Sequence, residues 1–234
     1  MNVNPLNPTH LTRRHRALWL IGVFFGACLM STTPAHAQPD AESLRRFKLL
    51  QPEQLTPAQK QLAQNIRSGP RAGVAGSAAN NTVLGSPFNV FLRSPEVGEP
   101  LQQVGSYIRF KSSLGAKLNE FAILITARHW GAQYEWHAHH RLALQAGLSP
   151  SIADDVAQNR KPQGMSADEE AIYNFSHELH TQKQVSDATY KAVLDRFGEH
   201  GVMDLIAVNG YYTLIAMVLN VDRTPVPGGA LPLK

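Results

Sequence analysis

Apolar residues recur three and four positions apart along most of this chain, and no stretch sustains the alternation that a strand requires. Leu44, Phe47 and Leu50 predict a helix over 41–50. Thr56-Pro57 opens another, with a capping hydroxyl followed by proline in the first turn, and that helix stops before Ser68-Gly69-Pro70. A short helix over Asn89–Arg93 ends at Ser94-Pro95. The next, Glu96–Arg109, carries Val97, Leu101, Val104 and Ile108 on one face. Helices over 114–127 and 133–146 are separated by His129-Trp130-Gly131, and Gly147 is a natural left-handed stop. Further helices are expected over 151–158, 167–180, 187–197 and 199–220, the last nearly continuous in apolar residues and so buried or at a subunit contact. The fold class is therefore all-α, a compact helical domain with an extended proline-rich tail over 223–234. Residues 69–88, rich in Gly, Ala, Ser and Asn, read equally as a flexible linker or as an ordered loop over a site.

The beginning of the chain has a different pattern. Arg13, Arg14 and Arg16 precede an apolar run over Ala17–Met30, too short to span a bilayer comfortably. Ala35-His36-Ala37 then has the small residues of a cleavage site. Residues 1–37 are expected to be a secretory signal cut after Ala37, and the protein periplasmic or secreted. An uncleaved anchor helix is the alternative. Arg13-Arg14 also hints at a twin-arginine signal, which Arg16 weakens.

That leader changes the electrostatic picture. Its three arginines account for most of the excess of 22 Lys and Arg over 18 Asp and Glu. The basic balance of the whole chain is thus a targeting feature, and no nucleic-acid partner is expected. No membrane association is expected once the leader is removed. Cys28, the only cysteine, lies within the leader. Residues 38–234 therefore offer no disulfide, thiolate nucleophile or Cys-x-x-Cys redox pair.

Candidate chemistry gathers in Glu120–Leu148. On a helix, Glu135 and His139 lie one turn apart on one face, where a carboxylate can orient an imidazole. The short connection makes the flanking helices antiparallel neighbours and brings Glu120 back towards the start or middle of the second. A Glu-His-Glu proton relay is open on that geometry, as is a structural Glu135–His139 pair on a solvated face. His137 and His140 point to other faces. Pairing His137 with His139 on a metal is disfavoured because residues two apart on a helix diverge, so no metal is expected. His177 and His180 could meet on one face of an exposed helix. No serine nucleophile motif or phosphate-binding glycine loop occurs, and no cofactor is expected. Arg128 or Arg109 suits a substrate carboxylate, and Trp130, Tyr134 and Trp136 suit the walls of a pocket.

Glu120 with Gln133-Tyr134-Glu135-Trp136-x-x-His139, Leu142-Ala143 and Ala146-Gly147-Leu148-Ser149 resembles the carboxymuconolactone decarboxylase family, which includes the alkylhydroperoxidase-D-like proteins. Gly85-Ser86-Pro87-Phe88-Asn89-Val90 and Arg93-Ser94-Pro95-Glu96 resemble its longer members, so the likeness covers about residues 80–220. It implies a family domain over 80–222, preceded by the lead-in and loop of 38–79, and assembly into homo-oligomers, trimers or hexamers. The family's redox members carry two cysteines where this chain has Ala132 and Glu135, so their peroxidase route is closed here. The decarboxylase members do not need that pair. The resemblance, taken with the spacing, implies a cofactor-independent lyase acting on a small carboxylated lactone or keto acid. His139 would deliver the proton, Glu135 orient it, and Glu120 relay. Export sits poorly with the namesake cytoplasmic reaction. An isomerase or hydrolase with the same relay, a protein carrying only an inherited peroxidase label, and a non-catalytic oligomeric binding protein remain the alternatives.

Overall fold

α4 (Gly115–His129) is the axis of the structure, and every residue from Leu118 to Ala127 on it is buried. Its apolar residues face all directions, so neighbours must cover it on all sides. α5 (Gln133–Gln145), α7 (Ala167–Gln182) and α8 (Asp187–Asp222) do so. Full burial of side chains such as Phe121, Ile123 and Leu124 stabilises the fold by about 1.5–3 kcal/mol each.

This computed structural model describes residues 41–70 and 83–233, all within the unit Pro39–Lys234. The leader expected over 1–37 and residues 71–82 of the glycine-rich loop lie outside the described residues. The described residues are all-α: α1 (Pro57–Ser68), α2 (Phe88–Phe91), α3 (Pro95–Lys111) and α6 (Pro150–Ala157) complete the set, with three short 3-10 turns and no strand.

Local signals account for most boundaries. Thr56 caps α1 by accepting from Gln59 N while the Gln59 side chain accepts from Thr56 N, a reciprocal capping box. Ser166 and Glu169 repeat the device at α7. Glu169 also pairs with Lys117 at 2.9 Å, tying that cap to α4. The two helices expected over 187–197 and 199–220 run on as α8, interrupted at Gly198, which leaves helical geometry. By length and composition α8 could cross a membrane, but half of its most apolar window is buried inside the fold. It also buries Asp204, Asn209 and Asp222 against partners, as a core helix does.

Two expectations are corrected. Residues 41–50 are not a helix: a 3-10 turn at Ala41–Leu44 leads into an irregular strap. The strap's backbone groups are taken up by tertiary partners. Arg46 N donates to Asp222 O, Phe47 N to Asp222 Oδ1 and Leu50 N to Asn89 Oδ1. Helix spacing of three apolar residues does not outweigh those bonds. The inward face of α3 is also different. Val97 and Val104 are 55% and 47% exposed, while Gly98, Gln102, Gly105 and Ile108 are buried. A Cβ at Gly98 would stand 2.7 Å from the Phe91 carbonyl oxygen and 2.8 Å from Leu62 Cδ2. α3 approaches too closely there for any side chain, so its smallest residues, not its valines, turn inward.

The tail is extended, and it packs back onto the fold. Gln133 Nε2 donates to Leu233 O at 2.7 Å and Leu233 N donates to Gln133 Oε1 at 2.9 Å, with the Leu233 side chain buried.

Candidate functional site

α4 and α5 turn back on each other through Trp130–Ala132. Gly131 sits at φ +57°, a conformation that side chains disfavour, and Ala132 N closes the turn on Ala127 O at 2.9 Å. This reversal places Glu120 of α4 beside His139 of α5. His139 Nδ1–H donates to Glu120 Oε2 at 2.6 Å, and both side chains are largely buried. With Nδ1 so engaged, the neutral ring carries its lone pair on Nε2. Tyr212 of α8 meets the imidazole edge-to-face, 5.0 Å between ring centres, and restrains its orientation.

His139 lines a cavity of about 350 Å³. Its wall comes from α5 (Tyr134, Glu135, His139), α8 (Tyr211, Tyr212, Ile215), the turn into α2 (Ser86, Pro87, Phe88), Arg109 at the end of α3, and Pro227 of the tail. Glu135 is 1% exposed, and neither carboxyl oxygen has a hydrogen-bond partner among the described residues. Burial without a compensating charge pushes its carboxyl well above the usual carboxylate range, which favours the neutral acid. Burial also raises the Tyr134 phenol. Arg109 lies over the Phe110 ring at 5.5 Å, and Arg141 donates to Gln145 at 3.3 Å. Among the described residues neither arginine pairs with a carboxylate, which leaves two cations free to meet an anion in the cavity. No three His, Cys, Asp or Glu side chains among the described residues gather to hold a metal.

The expected relay changes its wiring. Glu120, not Glu135, orients His139: Glu135 shares a helix face with the imidazole but no hydrogen bond joins them. A side chain from the neighbouring helix reaches Nδ1, and Glu135 is left to the cavity wall. Of the residues expected to hold substrate, Tyr134 lines the cavity and three stand elsewhere. Arg128 lines a separate cleft of about 50 Å³ with His129, His177 and His180. Trp130 follows the end of α4 and donates to Thr213 Oγ1 at 3.2 Å. Trp136, one residue and a quarter-turn beyond Glu135, is buried in the core and stacks on His140. The guanidinium at the cavity is Arg109, the other arginine that the sequence offered for this role. Tyr211, Tyr212 and Ser86 escaped sequence reasoning, because the first two belong to a nearly continuous apolar run and Ser86 to a turn remote in sequence. The Glu-His pair and the Arg-Tyr wall together can bind a small anion, exclude water and move a proton to or from it.

No family model matches the chain, and none of the curated proteins matches it.

Proposed function

We propose that this protein is a cofactor-independent lyase of the carboxymuconolactone decarboxylase type, acting on a small carboxylated lactone or keto acid. The observation that carries this reading is the buried 2.6 Å contact between His139 Nδ1 and Glu120 Oε2 on the wall of a cavity that also holds Arg109. Arg109 binds an anionic group of the substrate. Loss of carbon dioxide breaks the carbon–carbon bond next to a carbonyl and leaves the electron pair delocalised into that carbonyl. The protonated imidazole of His139 gives its Nε2 proton to the carbon, and solvent restores it. Glu120 fixes the ring through Nδ1 and so aims Nε2 at the cavity. Burial of Glu120, Glu135 and His139 favours this reading over that of a binding protein whose histidines are surface groups. Ala132 and Glu135 stand where thiol chemistry would need cysteines, so no peroxidase step is proposed.

Two broader features belong to the same reading. The arginines and apolar run before Ala35-His36-Ala37 support export. Met203, Ile206, Met217 and Val221 form an exposed apolar stripe along α8, which supports assembly with further copies of the chain.

The test is carbon dioxide release from a panel of small lactone acids and β-keto acids, with His139→Ala as the control. Release that depends on His139 is expected. No release from any member of the panel, or full turnover in His139→Ala, sinks the assignment.

A further inference from the structure

The smaller cleft, of about 50 Å³, takes no part in the chemistry above, and it gathers bases without acids. Arg128 and His129 reach it from the end of α4, Arg160 from the turn after α6, and His177 and His180 from α7. No Asp or Glu among the described residues lines it. Asp155, just outside, is committed to Arg160 at 2.6 Å and 3.1 Å. Glu178, next to His177 in the chain, is bonded to Ser186 and Thr189. Lys183 adds a further positive charge near His129 and His180. Arg128 is left without a counter-charge. Its Nε is enclosed and unpartnered, while its two terminal nitrogens are neither enclosed nor bonded among the described residues. A guanidinium that has lost part of its water and gained no acceptor is an open demand for one. The rings of His129 and His177 are held by stacking, on His180 at 4.8 Å and on Tyr173 at 5.5 Å, and their nitrogens bond to nothing among the described residues. His180, Ile125 and Tyr173 are buried whereas His129, His177 and Arg160 are exposed, so the cleft opens from the surface inwards. About 10–15 Å³ holds one water, so the space takes about four waters or one small tetrahedral ion.

We infer that this cleft is a binding site for a phosphate group, as the free ion or as the end of a phosphomonoester, separate from the cavity of His139. The terminal nitrogens of Arg128 donate to two of the oxygens in the forked geometry that guanidinium offers. His129 and His177 donate to the others. Arg160, held by Asp155, contributes charge at the rim. A negative group seated among these bases relieves their mutual repulsion, which no acid of the fold does. A metal cation would meet Arg128 and Lys183 in place of acids, and no three ligating side chains gather here among the described residues. The two cavities share no lining residue, so the inference stands apart from the lyase reading.

The experiment is isothermal titration calorimetry of the protein with inorganic phosphate and with glycerol 3-phosphate, at constant ionic strength and about pH 6.5, where an ordinary histidine is half protonated. One ion per chain is expected. Arg128→Gln is expected to weaken it about 10–100-fold, the loss of a charged, forked contact. Arg128→Lys keeps the charge without the fork and should fall between. Arg109→Gln, on the other cavity, should leave the affinity within about twofold. In proton NMR spectra the imidazole signals of His129 and His177 should move with the added ion, and those of His139 should stay in place. Circular dichroism checks that the variants fold, and His177→Gln, at an exposed position, weakens binding as well and serves if those at Arg128 do not. Tighter binding of glycerol 3-phosphate identifies a phosphomonoester as the ligand, and equal or weaker binding identifies the free ion. Absence of binding by both probes, or affinity unchanged in Arg128→Gln, overturns the inference. So does binding that is lost in Arg109→Gln and moves the His139 signals, which would put the anion in the other cavity.

Discussion

His139 and His180 are equally buried, at 8% and 7% exposure, and they line different cavities in chemically unlike surroundings. His139 meets the Glu120 carboxylate at 2.6 Å. His180 Nε2 lies 2.9 Å from Thr126 Oγ1, and its ring stacks on His129 at 4.8 Å. Burial and the adjacent His129 push His180 down to about 4, against a hydrogen bond that the ring donates to Asn209. It is a neutral ring in a polar network that continues from Thr126 through Asn209 to Ser176. One buried imidazole has a counter-charge and a cavity, while the other has neutral partners and further cations. Enclosure alone thus does not make a histidine reactive; the partner decides which form the interior tolerates.

The largest expected effect falls on the first histidine. His139→Ala should lower turnover about 10²–10⁴-fold, read from steady-state kinetics on any keto acid the wild type processes. Glu120→Gln, which loses the carboxylate that fixes the ring, should come close to it. His180→Ala should leave turnover within about threefold, and a larger loss would erase the distinction between the two sites.

Acid should act mainly through the second histidine. Its folded pKa is depressed from 6.5 to about 4. Stability is therefore fully present above about 6.5 and falls as pH drops towards 4, by on the order of 3 kcal/mol across that window. Urea melts at pH 7, 5.5 and 4 measure it, and His180→Ala should flatten the profile in that range. Glu135 has the opposite sign. Its pKa is raised, so the stability it contributes is present below about 4.5 and is lost as pH rises beyond that. Glu135→Gln should accordingly be more stable than the wild type at pH 7, by a margin that shrinks as pH falls.

At pH 7, His180→Ala should cost about 2 kcal/mol in a urea melt, for the lost hydrogen bond and the void left behind. His129→Ala should have the smallest effect, within about 0.5 kcal/mol, because its ring is exposed. It should nevertheless raise the His180 pKa in an NMR titration by removing a neighbouring positive charge.

Much of this arrangement was legible in the sequence where the governing interaction is local. The α1 and α7 starts follow from hydroxyls capping the third residue on, and the α4–α5 reversal from Gly131 in a three-residue link. That reversal is enough to bring Glu120 to the level of His139. What was not legible depends on distant partners. Residues 41–50 lose their helix to Asn89 and Asp222, and α3 turns its glycines inward because Phe91 and Leu62 stand there. The choice of Glu120 over Glu135 as the imidazole's partner is of the same kind. Spacing puts Glu135 on the correct face, but only the packing of two helices shows which carboxylate reaches Nδ1.

The strap and the end of α8 meet in a fastening with its own consequence. Arg45 Nη1 holds Asp222 Oδ2 at 2.6 Å across 177 positions of sequence, and Ser86 Oγ donates to the same oxygen at 2.5 Å. An extracellular domain commonly joins such distant points by a disulfide, but no cysteine follows Cys28. The ion pair vanishes in the unfolded chain, so unlike a covalent bridge it does not restrict the denatured ensemble. In return, it responds neither to glutathione nor to oxidant. This closure is the same in a reducing compartment as in an oxidising one, and the chain can fold in either without waiting for sulfur chemistry.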